Sequence, residues 1–316
     1  MCAEPAGDRG VHAVALLGPT ASGKTAMAMR VARELNLEIV SCDSRQIYRH
    51  MDIGTAKPSP EQRDAVRHWM IDIVDPDRPY SAWRYAEEAG RIIRRRASKG
   101  VGALVCGGTG MYFGALSGGL TPLPPRDEEF RREYFEKARR YGHDCIFKEL
   151  ESVDPARAGR LHPHDLQRVV RALEIRYKSG RKASEFSGKG RRGFRTVTFH
   201  TFVLNPPRAG LYERINRRVE RMAARGLWEE FLALRERGYD RTSPGLDCVG
   251  YAELFDVESG DVSFEDALER IKRNTRRYAK RQITWFSRKT RGTCIQPDES
   301  GYETIMRSVG DVPTRT

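Results

Sequence analysis

The chain has 316 residues, enough to bury a large core, so one domain with an insertion or two domains are expected. Lysine and arginine number 56 against 43 aspartate and glutamate residues, and the net charge of +13 points to a polyanionic partner, with RNA or DNA ahead of a membrane surface. No apolar run reaches the length of a membrane-spanning helix, residues 1–10 lack a signal-peptide core, and the six cysteines never form CxxC, which argues against zinc and fits a reducing cytoplasm.

An apolar run at 11–17 predicts a strand, and 26–35 predicts a helix. Between them stands Gly18-Pro19-Thr20-Ala21-Ser22-Gly23-Lys24-Thr25, a match to G-x-x-x-x-G-K-[ST] in the strand–loop–helix setting that this phosphate-binding loop requires. Its glycines let successive amides point inward, the helix N-terminus adds its dipole, Lys24 adds a full charge, and the Thr25 hydroxyl can hold Mg²⁺. The motif does not say whose phosphates bind. Residues 37–41 read as a short buried strand running into Asp43. At the carboxyl end of a strand, that carboxylate fits a general base, a metal ligand or a turn cap.

Residues 68–74 predict a third strand, and Ser81 an N-cap for a helix to about residue 98. Residues 101–106 form an apolar run of the kind that parallel sheets bury, and a second glycine-rich turn, Gly107-Gly108-Thr109-Gly110, follows it at the same sheet edge. The prolines of 121–126 break the pattern. From 127 to about 184 the chain predicts basic helices, followed by a Gly/Lys/Arg loop at 187–195 and a returning strand at 196–204. This organisation places a P-loop α/β core at 1–120, a helical insertion at 121–195, and core completion with C-terminal helices at 196–316. Helices are predicted over 211–224, with Arg214 and Arg218 on one face, over 226–238, from 247 onward, and over 264–288. The last interleaves basic and aromatic residues, as a nucleic-acid surface does.

The segments GPTASGKT, SCDSRQIY, GGTGMY, DLQRVVRALEI, RINRRVERM, DCVGY and RRYAKRQITWF follow one another in order. Together they resemble the tRNA dimethylallyltransferase family, also called tRNA isopentenyltransferases, over about residues 11–290. The likeness is to the compact bacterial form, without the zinc finger of eukaryotic relatives. It implies a P-loop NTPase-like parallel sheet with a helical insertion that grips the anticodon stem-loop. It also implies transfer of a dimethylallyl group from dimethylallyl diphosphate to N6 of adenosine 37, with Mg²⁺ assisting, in tRNAs that read codons beginning with U. A monomer is expected.

By family position, Asp43 takes the N6 proton, Thr109 bonds near the leaving oxygen, and Arg214 or Arg218 clamps the diphosphate beside Lys24. Family tRNA-contacting positions fall on Asp43, Ser44, Arg45, Gln46, Thr109 and Arg131, and on Gln167, Arg168, Val169, Val170 and Arg171. They continue with Asp247, Cys248, Val249, Gly250, Tyr251 and Ala252, and with Lys280, Arg281, Gln282, Ile283, Thr284, Trp285 and Phe286. Asp247 departs from the pattern, because many relatives carry a basic residue there. The P-loop alone would equally fit a small-molecule kinase, an RNA-binding NTPase or a prenyltransferase of free adenine nucleotides; the basic insertion favours tRNA.

Overall fold

The apolar run ahead of the P-loop forms strand β1 (Val11–Leu17), whose last five residues are buried. The computed structural model of the chain describes residues 10–186 and 197–309. In it β1 lies inside a six-stranded sheet with β2 (Glu38–Ser41), β3 (His68–Trp69), β4 (Ala103–Gly107), β5 (Val197–Leu204) and β6 (Thr293–Ile295). The spatial order is β3-β2-β4-β1-β5-β6, and every pairing is parallel. Parallel neighbours need crossovers, so helices must pass over the sheet between strands. Strands β2 and β4 lie to one side of β1 and β5 to the other, which makes the carboxyl end of β1 a topological switch point.

The first crossovers carry α1 (Lys24–Glu34), α2 (Pro60–Ala65), α3 (Ala82–Ala97) and α4 (Gly110–Gly118). The Ser81 hydroxyl accepts from the Arg84 amide at 3.1 Å and so starts α3 where its spacing predicts. Two compact units divide the chain: Met1–Gly118 with Gly193–Thr316, and Gly119–Arg192. The second unit holds α5 (Glu128–Tyr141), α6 (His143–Val153), α7 (Pro155–Ala158), α8 (Leu166–Ser179) and a 3-10 turn at Ala183–Phe186. Its core includes Ile146, Leu150, Val169, Val170 and Leu173. After β5 the first unit resumes with α9 (Arg208–Ala224), α10 (Leu227–Glu236), α11 (Leu254–Glu258), α12 (Phe264–Lys289) and, beyond β6, α13 (Glu299–Val309). One apolar cluster buries Val14, Leu16, Val31, Leu104 and Phe202 with Ile305 of α13. A smaller one joins Leu211 and Ile215 of α9 to Ala279 of α12, with Ala21 of the P-loop packed on it.

Three local expectations change. The strand predicted at 68–74 stops after Trp69, because Met70 (φ 63°) and Asp72 (φ 55°) turn left-handed. Asp72 then serves as an ion-pair partner of Lys57 (2.5 Å) and Arg63 (2.7 Å) rather than as a strand residue. Residues 247–251 form turns and not the start of a helix. Gly250 has φ 108°, and its amide is spent on the Glu253 carboxylate at 2.9 Å, so α11 begins only at Leu254. Helices α2 and α13 and strand β6 are additions that the sequence pattern did not single out. Residues 1–9, and the loop expected at 187–195 with Thr196, lie outside the described residues.

The turn after β4 is built on close approach. A Cβ on Gly107 would stand 2.1 Å from the Cys42 carbonyl oxygen, which is backbone and cannot yield, whereas a Cβ on Gly114 in α4 would meet nothing. Gly107→Ala is therefore expected to destabilise the protein by about 1–3 kcal/mol, and Gly114→Ala to stabilise it by about 0.5–1 kcal/mol. Thermal melts of the two variants should move in opposite directions; parallel shifts would contradict this account.

Candidate active site

Three loops leave the carboxyl ends of β1, β4 and β2 side by side. Leu17 pairs with Gly107 and Ser41 with Cys106, so the P-loop, the Gly107–Gly110 turn and the Asp43 turn share one edge. Gly18 passes so close to β5 that a Cβ on it would lie 2.9 Å from the Leu204 carbonyl oxygen. Gly23 caps α1 in the left-handed region, and no side chain caps that N-terminus. The first amides of α1 are thus left to an anion.

Lys24 arches back over its own loop, and its Nζ donates to the Pro19 carbonyl at 2.5 Å and to Ser22 Oγ at 3.4 Å. Burial pushes its pKa down to about 8; Arg218 pushes the same way, while Cys106 and Asp43 act against it. Helix α9 brings the arginines. Arg214 Nε donates to the Ala21 carbonyl at 3.0 Å, and its buried Nη2 has no partner among the described residues. Arg218 Nη1 donates to Thr20 Oγ1 at 3.4 Å, and burial pushes its pKa down while Asp43 opposes that shift. With Arg221 and Arg225 these cations line a cavity of about 410 Å³ against the P-loop, lined also by Ile53, Ala56 and Met222. Among the described residues no carboxylate lines it. Sequence reasoning set Arg221 beside the Arg214 face without assigning it to the site, and missed Arg225 and the 53–56 wall; the four-residue spacing Arg217, Arg221, Arg225 was the available signal for both arginines.

A second cavity of about 80 Å³ adjoins the same loop and is lined by Lys24, Thr25, Asp43, Arg218, Tyr278 and Gln282, among others. Lys24, Thr25 and Arg218 line both spaces. Asp43 Oδ1 accepts the amides of Arg45 at 2.8 Å and Gln46 at 3.4 Å, so this carboxylate caps its turn and faces the cavity at once. Thr109 does not line either cavity. Its Oγ1 accepts the Ser44 amide at 2.9 Å, and its amide donates to the Cys42 carbonyl at 3.0 Å, so it ties the β4 turn to the Asp43 turn. Gln282 is buried; its Oε1 accepts the Thr20 amide and its Nε2 donates to the Gly108 carbonyl, each at 2.8 Å. Tyr278 is a site residue that sequence reasoning did not mark. It stands four residues before Gln282 on α12, and burial together with nearby Asp43 pushes its phenol up.

The segments aligned with RNA contact divide into surface and support. Lys280, Arg281 and Thr284 are exposed, Trp285 is half-buried beside Gly110, and Phe286 is buried, so Phe286 offers RNA no surface. Ile283 packs against the α9 cluster. Arg45 Nη1 donates to the Pro244 carbonyl at 2.7 Å, and Gln46 Nε2 to the Thr55 and Ala56 carbonyls at 3.4 and 3.2 Å. Of 247–252, Asp247 is exposed; Cys248 Sγ contacts the Gly245 carbonyl at 3.3 Å, Val249 packs on the neighbouring core, and Tyr251 is wholly buried.

In the second unit Gln167 and Arg168 are exposed, but Val169 and Val170 lie in its core. Arg131 is largely buried with Nη2 on Gln167 Oε1 at 2.6 Å. Arg171 holds Glu174 at 2.5 Å and the Pro124 carbonyl at 2.7 Å, and Glu174 is completely buried. Removing one member of a buried pair leaves an uncompensated charge, so Arg171→Ala is expected to cost on the order of 3 kcal/mol. Arg168→Gln should leave stability within about 0.5 kcal/mol. Denaturant unfolding of both variants decides it, and equal effects would show that Arg171 is no internal strut.

Residues 46–289 match the family model described as IPP transferase, and residues 11–76 match that described as isopentenyl transferase. The chain belongs to the IPP transferase family. The tRNA dimethylallyltransferase of Geobacter sulfurreducens is 45% identical over 273 residues, covering 86% of this chain and 88% of that one. That of Thermotoga maritima is 45% identical over 271 residues, with 86% and 88% covered. Among solved structures, the full-length tRNA isopentenylpyrophosphate transferase of Bacillus halodurans matches with a TM-score of 0.69, 35% identity and 96% coverage of both chains. A eukaryotic dimethylallyltransferase acting on tRNA matches with a TM-score of 0.75, 27% identity, and 95% and 78% coverage. The P-loop NTPase-like fold of this IPP transferase is common to these neighbours.

The lowered Lys24 pKa gives this IPP transferase site a pH signature. A bound anion favours the charged amine and raises its pKa above about 8. Affinity for an organic diphosphate should then be constant below about pH 8 and fall as pH rises past it, by up to about tenfold per unit. Calorimetry in buffers of different ionisation enthalpy should show proton uptake at pH 9; pH-independent binding between 7 and 9.5 would exclude Lys24 as the titrating cation.

Proposed function

We propose that this chain is a tRNA dimethylallyltransferase, transferring the dimethylallyl group of dimethylallyl diphosphate to N6 of adenosine 37 in tRNAs that read codons beginning with U. The observation that carries the reading is that one carboxylate, Asp43, shares a cavity with Lys24 and Arg218, which also line the larger cationic space at the P-loop. A diphosphate in the cationic space presents its ester end to the carboxylate. The C–O bond breaks, the C–N6 bond forms, diphosphate leaves, and the N6 proton passes to Asp43. Charge grows on the leaving oxygens and on the allyl fragment. The loop amides, Lys24 and the arginines sit where the first develops. Arg218 is the better placed clamp, since it lines both cavities, while Arg214 Nε braces the loop at Ala21 and keeps Nη2 for the anion.

Among the described residues no group of three or more His, Cys, Asp or Glu side chains is arranged to hold a metal. Thr25, which lines both cavities, has a hydroxyl that would hold a Mg²⁺ there. Such an ion would supply further charge neutralisation to the leaving group. Adenosine inside an anticodon loop reaches Asp43 only when flipped out of the stack. The exposed Lys280, Arg281 and Arg168 are the cations we assign to RNA phosphates, acting in a monomer. The five described cysteines are all free thiols, which supports a cytoplasmic setting. Supplying the enzyme and tRNA with labelled dimethylallyl diphosphate or labelled ATP tests donor identity. Label from the first must reach the RNA; phosphorylation from the second would favour a kinase.

Asp43→Asn keeps an oxygen for the Arg45 amide but lacks the basicity, so it separates cap from base. Its single-turnover rate should fall by about 10²–10⁴ with little change in donor KM. A rate within about threefold of the unmodified enzyme leaves less than ~1 kcal/mol for proton transfer and would discard the base assignment.

A further inference from the structure

Glu230, in the first turn of α10, takes three consecutive backbone amides. The Asp52 and Ile53 amides donate to Oε2 at 2.7 Å each, and the Gly54 amide donates to Oε1 at 2.9 Å. Oε1 also accepts the hydroxyl of buried Tyr251 at 2.6 Å. Successive amides converging on one anion form a nest, here filled by a side chain of the protein itself. The fit is close: a Cβ on Gly54 would lie 2.5 Å from Tyr251 Cζ.

The segment so held is part of the site. Ile53 and Ala56 line the cationic cavity beside the P-loop. Ala56 adopts φ 49°, a left-handed conformation that an alanine keeps only where its surroundings over-determine it. Its amide donates to the Ile53 carbonyl at 3.0 Å, and its carbonyl accepts Gln46 Nε2. Gln46 in turn lines the Asp43 cavity. The Glu230 carboxylate touches neither cavity, so any effect on the reaction must pass through this segment.

We propose that Glu230 is a positioning residue for donor binding: by filling the nest of residues 52–54 it fixes Ile53 and Ala56 as one wall of the cavity that receives the diphosphate donor. This rests on the donor assignment made above. Glu230 is thereby distinct from the cations that touch the phosphates, and its loss acts on donor affinity rather than on the chemical step.

The test compares the unmodified chain with Glu230→Gln, which keeps the size but turns an N–H toward backbone N–H groups. Calorimetry with inorganic diphosphate and with dimethylallyl diphosphate gives donor affinity; tRNA affinity and the single-turnover rate at saturating donor are measured alongside. Donor Kd and KM should rise about tenfold, as loss of a hydrogen bond to a charged group predicts. The saturated rate should stay within about threefold of the unmodified enzyme's, and tRNA affinity within about twofold. An unchanged donor Kd overturns the proposal, as does a parallel loss of donor and tRNA binding, which would mark a general structural role. If Glu230→Gln does not fold, Glu230→Asp, which withdraws the charge by one methylene, carries the same readouts. Failure of the unmodified chain to bind either diphosphate overturns the donor assignment itself, and this inference with it.

Discussion

The side-chain amide of Gln282 joins the two glycine-rich turns on which the site is hung. It accepts from the Thr20 amide and donates to the Gly108 carbonyl, using both ends of one buried group. The turns follow paired strands, so their bases are fixed by the sheet; their tips are fixed by this amide. The glycines follow from it. A Cβ on Gly108 would sit 2.3 Å from Gln282 Nε2, and one on Gly110 would sit 2.1 Å from Trp285 Cδ1. Residues that read as a phosphate-binding pattern are, at 108 and 110, required by the closeness of a helix. That same helix, one turn earlier, delivers Tyr278 to the Asp43 cavity.

Charge is handled in opposite ways in the two units. In the second unit, Arg131 and Arg171 surround the buried Glu174, and the Asp127 amide also donates to that carboxylate at 2.5 Å. Those arginines are spent on structure. At the P-loop, Lys24 and Arg218 are desolvated together and Arg214 has a buried nitrogen without a partner among the described residues. Desolvated like charges destabilise a fold, and an anion relieves that cost on arrival. The cationic cavity is therefore a costly arrangement that an anion would relieve.

Much of the core was legible because its signals are local. The apolar runs, the Ser81 cap and the P-loop spacing each depend on neighbours in the chain, and β1, β4, α1 and α3 follow them. Elements that depend on distant partners were not legible. Strand β3 ends early because Asp72 is claimed by Lys57 and Arg63. Residues 247–251 miss helix because the Gly250 amide is taken by Glu253 and the Tyr251 hydroxyl by Glu230. At the site, Lys24, Asp43, Arg214 and Arg218 could be named from pattern and resemblance. That Asp43 both caps its turn and faces the cavity, that Thr109 serves as a tie, and that Arg131 and Arg171 are internal depend on partners far away in the chain. An exposed basic face and a buried ion-pair network look alike in a string of arginines.

The Gln282 bridge has a consequence for how the molecule comes into being. It links residues 262 positions apart, so the P-loop cannot be locked until α12 has been made. During synthesis the early strands can pair and α1 can form, yet β5, the sheet neighbour of β1, and the clamp on α12 both arrive late. Contacts of such separation slow folding and leave intermediates with unpaired strand edges. A nascent or truncated chain would thus carry the complete P-loop sequence without an assembled pocket. Assembly of the pocket waits on α12 rather than on the motif that announces it.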